Sequence, residues 1–284
     1  MSFEERLQSG KQLSDYSTFG IGGPIRYFFD ARSMVDLEEA FSWISRERIP
    51  YLILGKGSNS LFSGRGFDGL VIRNKVEFCT IESCLVHVGA GYSFSLLGSQ
   101  TARRGLSGLE FACGIPGTVG GALFMNAGAN GKETAQHVQE VLFLKETGEK
   151  VIFKEMQFGY RTSPFQALSG AIVEARFLLE KRAEAHGAQK QILKRRFETQ
   201  PYKEKSVGCI FRNPSPQLSA GALIDRCKLK GVRVGGAKVS EIHANFIVND
   251  AYATADDVKE LIVLVQQRVF EEAQIHLEPE VRML

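Results

Sequence analysis

No two cysteines in this chain are spaced as Cys-x-x-Cys. The thiols stand at 79, 84, 113, 209 and 227, and an odd, scattered set argues against a disulfide framework or a zinc cluster built on paired thiols. Reduced cysteines in a cytoplasmic protein are the expectation. Long apolar runs are also lacking: stretches such as Leu261 to Val265 are far too short to span a bilayer, so no membrane association is expected. The start, MSFEERLQSGK, carries acids and has no apolar h-region, so no secretory signal is expected there. Charge of one sign is scarce, because 35 Lys and Arg against 32 Asp and Glu leave a net of only +3. A nucleic-acid partner, which calls for a concentrated basic face, is not expected. Repeats and low-complexity tracts are absent. What is left is an ordinary globular composition, 44% hydrophobic and 24% charged, over 284 residues. That length has room for two domains and a third small one.

Glycine, by contrast, is concentrated. Residues 105 to 131 read GLSGLEFACGIPGTVGGALFMNAGANG, with one proline, Pro116, and one charge, Glu110. Each glycine costs a helix about 1 kcal/mol relative to alanine, so no stable helix is expected here. The apolar residues between the glycines (Leu106, Leu109, Phe111, Ile115, Val119, Leu123, Phe124, Met125) are too many for a solvated linker. Backbone packed against something large, such as a phosphate or a cofactor ring, meets both conditions. A packed turn region without a ligand is the alternative.

Along the chain, residues 14 to 24 read as a turn entering a strand at Ile25 to Phe29. Ser33-x-x-Asp36 resembles a capping box for a helix with Leu37, Ala40, Phe41 and Ile44 on one face, stopped at Pro50. Tyr51 to Leu54 is a short buried strand running into Gly55-Lys56-Gly57-Ser58-Asn59-Ser60, a turn whose amides and hydroxyls suit an anion. It is neither a Rossmann fingerprint nor a P-loop, and an ordinary tight turn is the alternative. Gly69 to Arg73 reads as a strand, and a helix with Leu96, Leu97 and Ala102 apolar begins at Ser93. Val138 to Leu144 and Lys150 to Phe153 flank a hairpin turn at Thr147-Gly148. Tyr160 and Arg161 fall on a loop, where Arg161 taken alone reads as a solvated surface arginine, and 171 to 179 fall on a strand. Residues 180 to 200 form a linker and helix whose Lys194-Arg195-Arg196 cluster is read as a solvated face. Residues 206 to 216 read as a turn-rich loop around Cys209, Ala220 to Cys227 as a helix, and 242 to 249 as containing a strand. Thr254-x-x-Asp257 caps a long helix with Val258, Leu261, Ile262, Val265 and Val269 inward. The ending HLEPEVRML reads as a strand with Glu278 and Glu280 exposed.

Taken in order, STFGIGGP (17–24), LGKGSNSL (54–61), GLEFACGIPGTVGGALFMNAGANG (108–131), GYRTSPF (159–165), GCIFRNP (208–214), GGAKVSEIHANFIVN (235–249) and LEPEVR (277–282) make the chain resemble the UDP-N-acetylenolpyruvoylglucosamine reductases. The short stretch between Arg161 and Pro201 is similar to the type II form. The resemblance implies an α+β fold: an FAD-binding domain of the PCMH or vanillyl-alcohol-oxidase type in two lobes, plus a smaller α+β substrate-binding domain. Its expected limits are 1–75 for the first lobe and 76–187 for the second, with the FAD domain at about 22–187. The substrate domain would be 198–284, its last strand returning to the active site. The same resemblance implies bound FAD, NADPH as hydride donor and UDP-N-acetylglucosamine enolpyruvate as substrate, in a monomeric cytoplasmic enzyme of peptidoglycan precursor synthesis. The family passes a hydride from flavin N5 to C3 of the enolpyruvyl ether, and C2 is then protonated.

By the same resemblance, Leu54, Gly55, Lys56, Gly57, Ser58, Asn59 and Ser60 hold the FAD pyrophosphate. Gly114, Ile115, Pro116, Gly117, Thr118, Gly120, Gly121, Ala127 and Gly128 approach the flavin and the rest of its phosphate chain, and Arg282 joins the cofactor set. Arg161 stabilises the charge that develops on the substrate carboxylate, a task suited to a planar guanidinium. Glu280 matches the family's catalytic glutamate. Tyr160, Arg212, Asn213, Lys238 and His243 are substrate-binding candidates, with Arg212 where the family usually has lysine. Cys209 departs from the pattern, since the family usually has a proton-donating serine there. A thiol, with an ordinary pKa of about 8.5, is a stronger acid than an alcohol and can still protonate C2. Protonation by water or Glu280, with Cys209 a space-filler, is the alternative. Two other readings stay open: an oxygen-consuming flavoprotein oxidase of the same fold, and a nucleic-acid-binding regulator using the Lys194 to Arg196 cluster.

Overall fold

The computed structural model describes residues 2–284. The chain divides into two compact units, and neither is continuous in sequence. The first comprises Met1–Ser9, Arg26–Lys56 and Asp68–Arg196; the second comprises Gly10–Ile25, Gly57–Phe67 and Phe197–Leu284.

The first unit is built on two sheets. In one, the strand Phe67–Asn74 lies between Pro24–Ala31 and Tyr51–Leu54, the latter pairing parallel with Ile53 opposite Ile72. Helix α1, Met34–Glu47, covers it. Ser33 caps α1 by accepting from the Asp36 N–H, as its spacing implies. The helix ends before Pro50, because Arg48 turns into the left-handed region at φ 54 and closes on the Ile44 carbonyl. Leu37, Ala40, Phe41 and Ile44 pack on Phe29, Leu70 and Ile72. Burying each of the larger of these side chains contributes roughly 1.5–3 kcal/mol.

The other sheet is antiparallel, ordered Lys150–Phe153, Val138–Lys145, Gly170–Leu178, Leu85–Gly89, Cys79–Glu82. It has a core on each face. Leu144, Ala171 and Val173 belong to the α1 core, whereas Phe143, Ile172, Ala175 and Phe177 belong to a second core under helices α2 (Phe94–Arg103) and α3 (Val119–Phe124). Burial on both faces explains the nearly unbroken apolar run at 171 to 179. Within α2, Leu97 and Ala102 are buried but Leu96 is exposed. Helix α3 contradicts the expectation that glycine forbids a helix in this segment. Thr118 caps it, and Val119, Ala122 and Leu123 bury one face, so local packing overrides the propensities of Gly120 and Gly121. Helix α4, Ala185–Thr199, comes next. The cluster at its end is not uniformly solvated: Lys194 and Arg195 are exposed, but Arg196 is buried and reaches the Phe111 carbonyl at 3.4 Å.

The second unit has a four-stranded sheet, Ser206–Cys209, Phe246–Asn249, Ala237–Val239, Arg233–Val234, packed against α5 (Ala220–Arg226) and α6 (Ala255–Ala273). The capping box Thr254–Asp257 is formed, and Val258, Leu261, Ile262, Val265 and Val269 are buried as the spacing predicts. Two details differ from the sequence reading. The stretch expected to be all loop opens with the strand Ser206–Cys209. The C-terminal strand is only Arg282–Met283, paired parallel with Ser60–Leu61, with a further bridge between Pro279 and Phe211. No helix among the described residues is long and apolar enough to cross a membrane.

Candidate active site

In the first unit the strand Tyr51–Leu54 delivers Gly55 and Lys56 beside the glycine-rich segment. A Cβ on Gly55 would stand 2.6 Å from Thr118 Oγ1, so only glycine allows this approach. Thr118 Oγ1 is already engaged, accepting from the Gly121 N–H at 3.2 Å. Ser95 Oγ accepts from the Gly114 N–H at 2.8 Å, and Ala90 O accepts from the Gly120 N–H at 2.8 Å. The N–H groups of Gly117 and Thr118 donate to nothing among the described residues. A close-packed glycine turn with N–H donors to spare is what an anionic cofactor requires, and the residues fit the phosphates of an FAD.

The loop carrying Tyr160 and Arg161 belongs to the same unit. Arg161 holds φ 59, an uncommon conformation for a side-chain-bearing residue. Its guanidinium lies over the Tyr160 ring at 4.9 Å and donates from Nη2 to the Gly128 carbonyl at 3.2 Å. Gln166 Nε2 donates to the Arg161 carbonyl at 3.1 Å. Asn126 is fully buried and holds the loop from beneath. Its Nδ2 donates to the Gly159 carbonyl at 2.9 Å, and its Oδ1 accepts from the Ala135 N–H at 3.0 Å. Ala127 and Gly128 come directly after it, so the Arg161 loop and the end of the glycine-rich segment are one hydrogen-bonded assembly.

The second unit assembles Gly57 to Ser60, Cys209 to Asn213 and the C-terminal segment. A Cβ on Gly57 would lie 2.3 Å from the Tyr16 carbonyl, which packs this turn against the 14–24 stretch. Asn59 Nδ2 donates to the Glu280 carbonyl at 3.3 Å, and the Arg282 N–H donates to the Asn59 carbonyl at 3.0 Å. On the other side, the Glu280 N–H donates to the Ile210 carbonyl at 2.6 Å and the Arg212 N–H to the Glu278 carbonyl at 2.9 Å. The Glu280 segment is therefore bonded to both the 57–60 turn and the Cys209 strand. Glu278 is exposed, as expected of a terminal carboxylate, but Glu280 is half-buried, contrary to that expectation.

Cys209 is half-buried at the end of its strand, opposite Phe246. Ser206 faces Val248, so three steps on one strand meet two on the other: a β-bulge. Gly208 sits in it at φ 81 with open space where a Cβ would be, so glycine is needed for conformation and not for room. Beyond the bulge, Arg212 approaches Glu278 at 3.8 Å, and Asn213 Oδ1 accepts from the Ala220 N–H at 3.1 Å. Lys238 is paired with Asp250 at 3.0 Å, and Asp250 also binds Arg233; those cations hold its carboxyl below the usual range. His243 uses Nδ1 to accept from the Asn245 N–H at 3.2 Å, and burial pushes its pKa down.

Asn126 and Asn245, which support these two assemblies, were not singled out by sequence reasoning. The available signal was an amide side chain amid apolar neighbours, in FMNAG and HANFIV. Among the described residues no group of His, Cys, Asp and Glu is arranged to hold a metal ion, and no cysteine is in a disulfide.

Two family models match the chain: an FAD binding domain over residues 25–154 and the C-terminal domain of UDP-N-acetylenolpyruvoylglucosamine reductase over residues 200–284. The reductase of that name from Protochlamydia amoebophila is 52% identical, covering 99% of this chain and 95% of its own. That of Chlamydia muridarum is 45% identical over 100% of this chain and 96% of its own. The crystal structure of the UDP-N-acetylenolpyruvylglucosamine reductase of Thermus caldophilus is similar with a TM-score of 0.83, at 39% identity, covering 98% of each chain. The expected α+β, FAD-binding fold is borne out.

Proposed function

The chain belongs to the UDP-N-acetylenolpyruvoylglucosamine reductase family, and from that premise we propose that it reduces the enolpyruvyl ether of UDP-N-acetylglucosamine enolpyruvate to UDP-N-acetylmuramate. It works as a cytoplasmic monomer in peptidoglycan precursor synthesis. The FAD lobes fall within residues 1–75 and 76–187, although 10–25 and 57–67 belong to the compact unit that also contains 198–284, the substrate-binding part. The observation that carries the reading is the Glu280 segment, hydrogen-bonded at Asn59 on one side and at Ile210, next to Cys209, on the other.

Leu54 to Ser60, Gly114 to Thr118, Gly120, Gly121, Ala127, Gly128 and Arg282 would hold FAD. When bound, FAD would supply the hydride-transfer chemistry that links NADPH to C3 of the substrate. The chain's own residues manage what that leaves on the substrate: negative charge at C2, spread into the carboxylate. Arg161 grips that carboxylate, and its αL backbone, held from below by Asn126, fixes the guanidinium before charge appears. Cys209 donates its thiol proton to C2. Glu280 stabilises the same charge from the C-terminal segment. Tyr160, Arg212, Asn213, Lys238 and His243 orient the nucleotide, Arg212 toward a phosphate. Asp250 keeps Lys238 in place. The test is anaerobic. One equivalent of NADPH should bleach the yellow protein, and UDP-N-acetylglucosamine enolpyruvate should then restore the colour without oxygen. Colour returning only with air would favour the oxidase reading instead.

A further inference from the structure

Beyond Cys209 the ladder with Phe246–Asn249 ends, and the backbone pairs further only on its other edge, through the Phe211–Pro279 bridge. Past the bulge, a side chain takes over the work of a neighbouring strand. Phe211 donates its N–H to Asn245 Oδ1 at 3.0 Å, and Asn245 Nδ2 donates to the Phe211 carbonyl at 2.8 Å. These are the paired bonds that an antiparallel partner residue would make. The Asn245 main chain adds a third, accepting from the Ile210 N–H at 2.8 Å. Asn245 is only 3% exposed, so its amide is committed to this segment. Its own N–H is tied to His243 Nδ1 at 3.2 Å, and burial favours the neutral imidazole that can accept it. The opposite edge of the same segment carries Glu280, through Ile210, and Glu278, through Arg212.

We propose that Asn245 is a positioning residue for proton delivery. It fixes Ile210 and Phe211, and through them the placement of Cys209 on one side and Glu280 on the other. The inference rests on the functional reading above, in which Cys209 and Glu280 act on the substrate. Asn245 itself touches no reacting atom. A purely structural amide would weaken the fold and both halves of the reaction alike. A positioning amide affects only the half that needs the proton.

Asn245→Ala and Asn245→Asp separate the two. Asp keeps an acceptor for the Phe211 N–H and loses the donor to its carbonyl. With FAD content and anaerobic bleaching by NADPH close to wild type, recolouring by UDP-N-acetylglucosamine enolpyruvate should slow on the order of 10²-fold in the Ala variant, the scale of a misplacement of about 1 Å, and less in the Asp variant. In a Cys209→Ala background, adding Asn245→Ala should cost less than about threefold more, because both changes remove one function. Equal loss in both half-reactions, additive losses in the double variant, unchanged recolouring, or failure of both variants to fold and bind FAD would each overturn the inference. Wild-type protein that cannot be recoloured by the substrate would refute the functional reading, and this inference with it. Wild type that recolours normally, with Asn245→Ala unchanged, would overturn this inference alone.

Discussion

The loop that presents Arg161 and the strand that presents Cys209 are held by different means. Arg161 sits in an unfavourable backbone conformation, and side chains restrain it: Asn126 below Gly159, Gln166 on its carbonyl, Tyr160 beneath its guanidinium. Cys209 ends a bulged strand. Main-chain bonds from sequence-distant segments hold Ile210 and Arg212 beyond it, with Asn245 standing in for a missing strand. The contrast matches the tasks proposed for them. A charge stabiliser must have its cation aimed before the charge forms, which side-chain restraints achieve. A proton donor must stay within hydrogen-bond reach of one atom, which bonds to both edges of its segment favour.

The comparison can be broken at either end. The largest effect is expected from Arg161→Ala. Loss of a group facing developing charge costs on the order of 10²–10³ in turnover, and anaerobic bleaching by NADPH should be spared. A variant that recolours at the wild-type rate would remove Arg161 from the chemistry. Asn126→Ala strips partners from the Gly159 carbonyl and the Ala135 N–H, and should lower unfolding stability by about 1–3 kcal/mol. Chemical denaturation measures the loss, and a weaker substrate KM should accompany it as the Arg161 loop loosens. Gly208→Ala forces a Cβ into φ 81 at the bulge, costing roughly 1–2 kcal/mol. There is room for the methyl, so an unstrained crystal structure of that variant would refute the conformational argument.

The smallest effect is a pH dependence. Burial lowers the folded-state pKa of His243 below its ordinary value of about 6.5. Below that ordinary value the unfolded chain binds the proton more readily than the folded one, so the unfolded state gains as pH falls. The His243 contribution to stability is thus complete above the unfolded pKa and is lost as pH drops toward the folded one. His243→Gln should flatten the melting-temperature profile in that window; a profile as steep as wild type would place the titration elsewhere.

What could be read in the sequence divides along the same line. The caps at Ser33 and Thr254, the inward face of α6 and the close-packed glycine segment are local, and spacing alone reveals them. Helix α3 was hidden because glycine propensity misleads where Thr118 caps and Val119, Ala122 and Leu123 bury. Arg196 was misread because a charge run looks solvated until a carbonyl from a distant loop meets it. The C-terminal strand pairs through two residues only, too few for any periodicity. Asn126 and Asn245 matter for which backbone they reach, and that is a property of tertiary structure.

The division of labour is tested most directly at Cys209. Pre-reduce Cys209→Ala and Cys209→Ser with NADPH, mix each anaerobically with UDP-N-acetylglucosamine enolpyruvate, and follow the return of flavin absorbance. The account predicts that both variants bleach like wild type, that Ser recolours at a substantial rate, and that Ala slows by about 10²-fold or more, the contribution of a positioned acid. Full-speed recolouring of Cys209→Ala would contradict it and pass the proton to Glu280 or water.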